Sequence, residues 1–349
     1  MSSPQNSASQ PEDRYARPMR DLRISVTDRC NFRCPYCMPA EIYGESYQFL
    51  PKPELLSFEE IERLARLFVD LGVEKIRITG GEPLLRHQLP SLIESLARID
   101  GLRDLALTTN GFLLEKQAQT LVNAGLSRIT VSLDSHDEET FKRMSGTAFG
   151  PSRVFDGIEA AAQAGLTPIK INCVVQRDVN HKHVVDLARR FKGTGHIVRF
   201  IEFMDVGTLN RWSLDQVFSA AEIVRAIGDE MPLEPLEAHY PGEVASRYGY
   251  RDGSGEIGVI ASVTQPFCAG CTRARLTTQG QLVTCLFAAG GTDLREPMRS
   301  GASDDDLREQ ISRIWTVRED RYSEQRAGLS DPQWRKKSAG RIEMYQVGG

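Results

Sequence analysis

The chain has 349 residues, of which 40% are hydrophobic and 26% charged, and a formal net charge of −4. These are the proportions of a soluble globular protein with room for one large domain or two ordinary ones. No apolar run approaches the roughly eighteen residues of a membrane span, and the acidic balance gives no basic field for nucleic acid, although 43 Lys and Arg can still build a local anion pocket.

Residues 1–18 are rich in Ser, Gln and Pro, lack an apolar signal core and read as a disordered leader. Alternation over 22–27 predicts a first strand that runs into the loop Cys30-Asn31-Phe32-Arg33-Cys34-Pro35-Tyr36-Cys37. Ser57 and Glu60 make a capping box for a helix over 58–71, which Gly72 ends. Strands at 75–79, 105–109, 128–133, 168–175 and 197–203 then alternate with helices at 87–99, 113–124, 153–164 and 181–191. Six βα units in a row imply a parallel sheet, since parallel strands need crossover helices. Either a doubly wound sheet or a barrel satisfies that.

The polar residues favour the barrel. The cysteine loop follows strand one, Gly80-Gly81-Glu82-Pro83 follows strand two, and Thr108-Thr109-Asn110-Gly111 ends strand three. Ser132-Leu133-Asp134 ends strand four, Lys170 and Asn172 share one face of strand five, and Glu202-Phe203-Met204-Asp205 ends strand six. Barrel sites are built from such loops at the C-terminal strand ends. The expected fold is therefore α/β, a six-unit partial barrel of the TIM type with the cysteines at its mouth. After 205 the reading is a helix at 219–227, a connection over 231–240, strands at 245–251 and 256–263, and then a second cysteine triplet. The expected division is a leader over 1–19, the barrel over 20–236, a small C-terminal domain over 237–330 and a tail over 331–349.

Seven cysteines without a secretion signal argue for metal or redox use rather than a disulfide framework. Cys30, Cys34 and Cys37 form one triplet, Cys268, Cys271 and Cys285 the other, and Cys173 sits in an apolar run as a core residue. A structural zinc ion wants four ligands. A cubane iron–sulfur cluster held by three cysteines keeps one iron open for chemistry. Gly80-Gly81-Glu82-Pro83 is either a plain turn or a place where backbone approaches a ligand amine. Arg273 and Arg275, two apart on one strand face, are either solvated or, with Arg23, Arg77 and Lys170, convergent donors for a polyphosphate. The terminal Gly348-Gly349 is either a frayed end or a segment able to thread a narrow channel. His181-Lys182-His183 reads as surface.

The Cx3Cx2C loop with Tyr36 before its last cysteine resembles the radical S-adenosylmethionine superfamily. Together with KIRITGGEPLLR, LTTNG, VSLDS, KIN, RFIEFM, FCAGC followed by TRARLT, Cys285 and the terminal Gly-Gly, the chain from about residue 20 onward resembles the GTP 3′,8-cyclases, which open molybdenum cofactor biosynthesis. That resemblance implies a [4Fe–4S] cluster on Cys30, Cys34 and Cys37 and a second on Cys268, Cys271 and Cys285. It implies S-adenosylmethionine contacts from Tyr36, Gly81, Ser132 and Met204, and a GTP site lined by Arg23, Arg77, Thr108, Lys170, Arg273, Ala274 and Arg275, with Arg273 and Arg275 assisting the chemistry. Thr272 departs from the Asn common in the family and puts one local hydrogen bond in question.

The implied reaction is reductive cleavage of S-adenosylmethionine, hydrogen abstraction from the 3′ carbon of GTP and addition of that carbon to C8 of guanine. The resemblance also implies a cytoplasmic monomer or homodimer served by a reduced flavodoxin or ferredoxin-like donor, which passes its product to cyclic pyranopterin monophosphate synthase, with neither membrane nor nucleic acid as a partner. Competing readings are a peptide-maturing radical enzyme with an auxiliary cluster, a two-cluster electron-transfer protein and a zinc-stabilised binding module.

Overall fold

The computed structural model describes residues 10–240, 242–326 and 340–348. The parallel units are β1 (Asp21–Ser25), α1 (Phe58–Asp70), β2 (Lys75–Thr79), α2 (Leu89–Ala97), β3 (Asp104–Thr109), α3 (Leu114–Asn123) and β4 (Arg128–Ser132). They continue through α4 (Glu138–Ser145), α5 (Ser152–Gln163), β5 (Lys170–Val175), α6 (Val184–Phe191), β6 (Ile197–Glu202) and α7 (Ala220–Glu230). A hairpin of β7 (Leu233–Leu236) and β8 (Ser246–Tyr250) leads to β9 (Glu256–Ile260), and β10 (Arg273–Leu276), β11 (Gln281–Val283) and β12 (Thr292–Asp293) follow. The chain closes with α8 (Arg295–Arg299), α9 (Asp304–Thr316), α10 (Tyr322–Arg326) and a terminal turn of helix, Met344–Val347.

Among the described residues twelve strands form one open sheet in the order β12-β11-β10-β1-β2-β3-β4-β5-β6-β9-β8-β7. The eight strands from β10 to β9 are mutually parallel. Ile260 on one side of this array and Arg275 on the other line the same cavity, so the sheet curls until its two sides face each other. It is a barrel with a gap. The sheet does not break near residue 236: the C-terminal strands lengthen both edges of the same array.

Local chemistry explains the elements. Ser57 accepts from the Glu60 amide while the Glu60 carboxylate accepts from the Ser57 amide, and α1 then buries Ile61, Leu64, Ala65 and Phe68 against the sheet. Each such buried aliphatic or aromatic side chain stabilises the fold by about 1.5–3 kcal/mol. Along β1, Leu22 and Ile24 turn outward into this core, while Asp21 and Arg23 turn toward the interior of the curl. The inner face is thus polar and the outer face apolar.

Four expectations need correction. The connection expected over 231–240 contains β7, which pairs antiparallel with β8; Pro235 is tolerated because this is an edge strand. The helix expected from 87 begins at Leu89, after Gln88 in a left-handed conformation. A helix not anticipated, α4, starts where the Asp137 carboxylate accepts from the Thr140 amide and stops at the left-handed Gly146. The leader expected through residue 18 is built from residue 10 onward, where Asp13 and Arg17 are buried; residues 1–9 lie outside the described residues.

Candidate active site

The first cysteine loop leaves β1 and is tied down from several sides. The Arg33 amide donates to the Ser145 carbonyl at the end of α4, and the Arg33 guanidinium donates to the carbonyls of Cys30, Phe32 and Tyr43. Phe32 packs edge-on against Phe141 and Phe112. Next to the loop, Gly80 adopts φ +136°, and a Cβ at Gly81 would lie 2.3 Å from the Arg29 carbonyl oxygen, so only glycine permits this approach of β2's end to the loop.

Glu82 fixes the next junction, accepting from the Leu84 amide, the Asn110 amide and the Thr109 hydroxyl at 2.7–2.9 Å. Burial pushes its carboxyl up to about 7 against the pull of those three donors. Tyr36 donates to Asp134 at 2.6 Å, and burial likewise raises the Asp134 carboxyl to about 6. The Thr109–Asn110 and Asp134 segments named in the sequence thus act as braces for the cysteine loop.

Cys30, Cys34, Cys37, Tyr36, Gly81 and Ser132 open onto one cavity. Cys268, Cys271, Cys285, Arg23, Arg77, Thr108, Arg273, Arg275 and Met204 open onto a second. Thr108, Asn172 and Ile201 line both, so the two triplets face one shared chamber. Met204, expected beside Tyr36, sits on the wall of the second cavity. Lys170 lines an adjoining space with Arg77, Arg128 and Arg199. Ala274 is fully buried behind the two arginines that flank it.

Neither triplet suits a mononuclear ion. A tetrahedral zinc held by thiolates needs its sulfurs about 3.8 Å apart. Among the described residues, only His136, His183 and Asp186 bring three candidate ligand atoms within 4.8 Å of one another. Neither cysteine triplet is drawn together to that degree, and each offers three thiols to one cavity, the donor set of a cubane with one open iron. They fit a cubane held by three cysteines. Burial raises the Cys30 and Cys285 thiols to about 12. Burial also opposes ionisation of Cys271, but the guanidiniums of Arg273 and Arg318 more than offset it and bring that thiol down to about 6. The Arg273 side chain donates to the Cys271 sulfur at 3.2 Å.

The strand register builds a second feature. Arg23 on β1 stands beside Arg275 on β10 and Arg77 on β2, so three guanidinium-bearing residues form one row across three strands. The row beneath is different: Asp21, Lys75 and Asp104 alternate in sign, with Lys75 Nζ 3.8 and 3.5 Å from the two carboxylates. Among the described residues the upper row pairs with no carboxylate, and Asp21 in the row beneath acts on Arg23 and Arg77. Burial and then the neighbouring charges of Arg275, Arg77 and Arg273 hold the Arg23 guanidinium well below its ordinary value, and burial leads in lowering Arg77 and Arg275 to about 10. Arg77 is anchored on the Thr108 and Thr130 hydroxyls at 3.0 Å.

Arg199 and Lys75 belong to this basic surface and were not singled out from the sequence. Arg199 donates to Asn172 at 2.9 Å and lines the cavities that hold Arg77 and Lys170. Its signal was its alternation with Ile201 on an inward strand face. The chain's end enters the same chamber. Arg23 Nη1 donates to the Gly348 carbonyl at 2.8 Å, and Arg275 Nη1 donates to the carbonyls of Val347 and Gly348 at 2.7 Å. Tyr345, three residues earlier, packs edge-on against Tyr43 beside the first cysteine loop. Gly349 lies outside the described residues. The His181-Lys182-His183 segment opens away from the chamber: His181 accepts from the Asp178 amide, and His183 meets Thr140 at 3.1 Å.

A curled parallel sheet with a three-thiol loop after its first strand defines a radical S-adenosylmethionine enzyme. The model of the Radical SAM superfamily matches residues 24–191, and that of Molybdenum Cofactor Synthesis C matches residues 196–324. A crystal structure of Streptococcus suis SuiB bound to S-adenosylmethionine shares the fold with a TM-score of 0.60, covering 93% of this chain and 69% of that one at 14% identity.

Sequence relatives narrow the class. The GTP 3′,8-cyclase of Acidothermus cellulolyticus is 55% identical over 91% of this chain and 89% of its own length. That of Xanthomonas campestris pv. campestris (strain B100) is 50% identical over 99% of both, and that of Staphylococcus carnosus is 47% identical over 97% of this chain and 98% of its own. The chain belongs to the GTP 3′,8-cyclase family. No helix among the described residues is long and apolar enough to cross a membrane.

Proposed function

We propose that this chain converts GTP to (8S)-3′,8-cyclo-7,8-dihydroguanosine 5′-triphosphate, with the carbon–hydrogen bond broken and the carbon–carbon bond made in the chamber between the two cysteine triplets. The observation that carries this reading is the basic row Arg275, Arg23 and Arg77, extended by Arg199 and Lys170, whose like charges outnumber the Asp21 carboxylate that acts on Arg23 and Arg77. Like charges facing each other across strands are destabilising, and burial strengthens the repulsion. A triphosphate supplies the missing counter-charge through forked, charge-assisted hydrogen bonds.

In this proposal Cys30, Cys34 and Cys37 hold the first [4Fe–4S] cluster, and Tyr36, Gly81 and Ser132 shape the adjoining S-adenosylmethionine site, with Met204 reaching toward it from the second cavity. When bound and reduced, that pair supplies the radical that takes a hydrogen atom from the ribose. Cys268, Cys271 and Cys285 hold the second cluster near the guanine. Arg273, beside Cys271, and Arg275, across from Arg23, keep fixed positive charge where negative charge collects, and the backbone at Ala274 keeps the two side chains in step. Thr108 orients Arg77.

The tail carbonyls of Val347 and Gly348 hold Arg23 and Arg275 toward the chamber and narrow the gap in the barrel, which excludes stray hydrogen donors. Residues 20–236 supply the first site, 237–330 the second triplet, and 331–349 the tail. The enzyme works in the cytoplasm as a monomer or homodimer, is reduced by a flavodoxin or ferredoxin-like donor, and hands its product to cyclic pyranopterin monophosphate synthase.

The test is an anaerobic assay of reconstituted, reduced protein with S-adenosylmethionine, with and without GTP. Formation of 5′-deoxyadenosine in step with a nucleotide isomeric with GTP, and only when GTP is present, is the expected result. 5′-Deoxyadenosine without any change in GTP overturns the substrate assignment.

A further inference from the structure

The segment just after residue 10 is packed beneath the second cysteine triplet, and one carboxylate organises it. Asp13 is buried, its side chain 0% exposed. Its Oδ1 accepts from the amides of Tyr15 and Arg17 at 2.9 and 3.0 Å. Its Oδ2 accepts from Arg17 Nε at 2.6 Å and from Arg318 Nη1 at 3.1 Å, so one carboxylate joins two guanidiniums. Both arginines are almost wholly buried, with side chains 3% and 1% exposed.

Each of these arginines then reaches a cysteine. Arg17 Nη1 donates to the Cys268 carbonyl at 2.7 Å, and Arg318 Nη1 donates to the Cys271 carbonyl at 2.8 Å. The third cysteine is approached through Asp320, which accepts from Arg318 Nε at 3.3 Å and from the Thr284 hydroxyl, next to Cys285, at 2.6 Å. Trp315, fully buried on α9, donates from its indole nitrogen to the Arg17 carbonyl at 2.9 Å and carries the Arg318 guanidinium over its ring at 4.5 Å. The geometry is over-determined. A buried guanidinium with several partners has one orientation, so the two carbonyls it holds have one as well.

We propose, resting on the second-cluster reading given above, that Asp13 is a positioning residue for that cluster. Through Arg17 and Arg318 it fixes the main chain of Cys268 and Cys271, and its charge sets the cluster's reduction potential. Two arginines are balanced by two aspartates, Asp13 and Asp320, against the backbone of the ligating loop. Removing the aspartate makes the surroundings more positive, which favours the reduced, more negative cluster. The segment before β1 is thereby part of the redox machinery.

The experiment is a potentiometric titration followed by electron paramagnetic resonance on the reconstituted full chain, with S-adenosylmethionine present to mark the first cluster's signal. For Asp13→Asn the expected result is an upward shift of the second cluster's midpoint potential with an altered spectrum, the first cluster unchanged, and iron and sulfide content retained. Asp13→Glu should return the potential toward that of the unmodified chain. Arg14→Ala, which removes only the exposed Arg14–Glu319 pair of the same segment, should leave it where it was. Loss of the second cluster alone, with the melting temperature and first cluster intact, also supports the positioning role.

An unchanged or lowered potential in Asp13→Asn with both clusters intact overturns it. Should that variant fail to fold, Arg318→Lys, which keeps the charge but loses the fork, is read in the same way, with an unchanged spectrum and potential as the overturning result. Because the readout is the second cluster's own signal, a wrong substrate assignment leaves it untouched, and absence of any second-cluster signal in the unmodified chain points to the earlier reading instead.

Discussion

Arg23 and Arg275 stand side by side on adjacent parallel strands, and both donate to the carbonyl of Gly348. Two buried like charges share one neutral carbonyl oxygen, that of Gly348. An anion reaching both guanidiniums would supply the counter-charge that a carbonyl oxygen lacks.

Replacing Arg23 by Met should therefore separate function from stability. Loss of one charge-assisted contact worth roughly 1.5–3 kcal/mol weakens GTP binding by about 10- to 100-fold. The apoprotein should melt at the same temperature or higher, because a buried repulsion is removed with the hydrogen bond. Calorimetric titration and thermal melts of the same preparation check both halves.

Gly348 adopts φ +65°, and a Cβ there would lie 2.0 Å from Thr79 Cγ2. In Gly348→Ala the left-handed backbone costs roughly 1–2 kcal/mol, and the contact with Thr79 ejects the tail. Cyclised product should be lost while fold and both clusters persist, as they should when Gly348 and Gly349 are deleted. Adding Thr79→Ser, which lacks that methyl group, should restore part of the product yield; no gain over Gly348→Ala would remove Thr79 from the account.

Lys170 gives the pH dependence. Burial, and then the charges of Arg199, Arg128, Lys75 and Arg77, lowers its ammonium to about 7. A triphosphate favours the charged form, so binding above pH 7 takes up a proton and affinity falls as pH rises. Below about pH 7 the group is already charged and the slope disappears. For stability the sign is opposite: burying the charge is costly below about 7, and that cost fades as pH rises toward the group's unfolded value. Binding enthalpies at pH 8 in buffers of different ionisation enthalpy should report the proton, and Lys170→Met should abolish it.

Cys268→Ser should leave S-adenosylmethionine cleavage possible and abolish the cyclised nucleotide. Product quantified by mass after anaerobic reaction gives the answer; an undiminished yield would falsify the role of the second triplet.

Much of this was legible in the residues because local signals agreed with the fold. The Ser57–Glu60 box and the Gly stops at 72, 125 and 165 punctuate the βα units at short range. The arginine row was legible only in part, since period two places Arg273 and Arg275 on one face but nothing local sets β10 beside β1. That pairing joins residues 23 and 275 and depends on the curl of the whole sheet. β7 was hidden by Pro235, which edge position excuses. The segment around Asp13 looked dispensable because its composition is polar, and its order comes from partners near residue 318. Helix α4 carried readable signals, Asp137 three residues before Thr140 and Gly146 at its end, that the length of the stretch between two stronger elements concealed.

Two contacts between the start and the end of the described residues complete the molecule: Asp13 with Arg318, and Arg23 with Gly348. During synthesis the first cysteine loop leaves the ribosome early, whereas the strand that flanks it, the arginines that balance the second triplet and the residues that narrow the chamber arrive last. A nascent chain thus presents its first three thiols before the segments that complete the chamber exist.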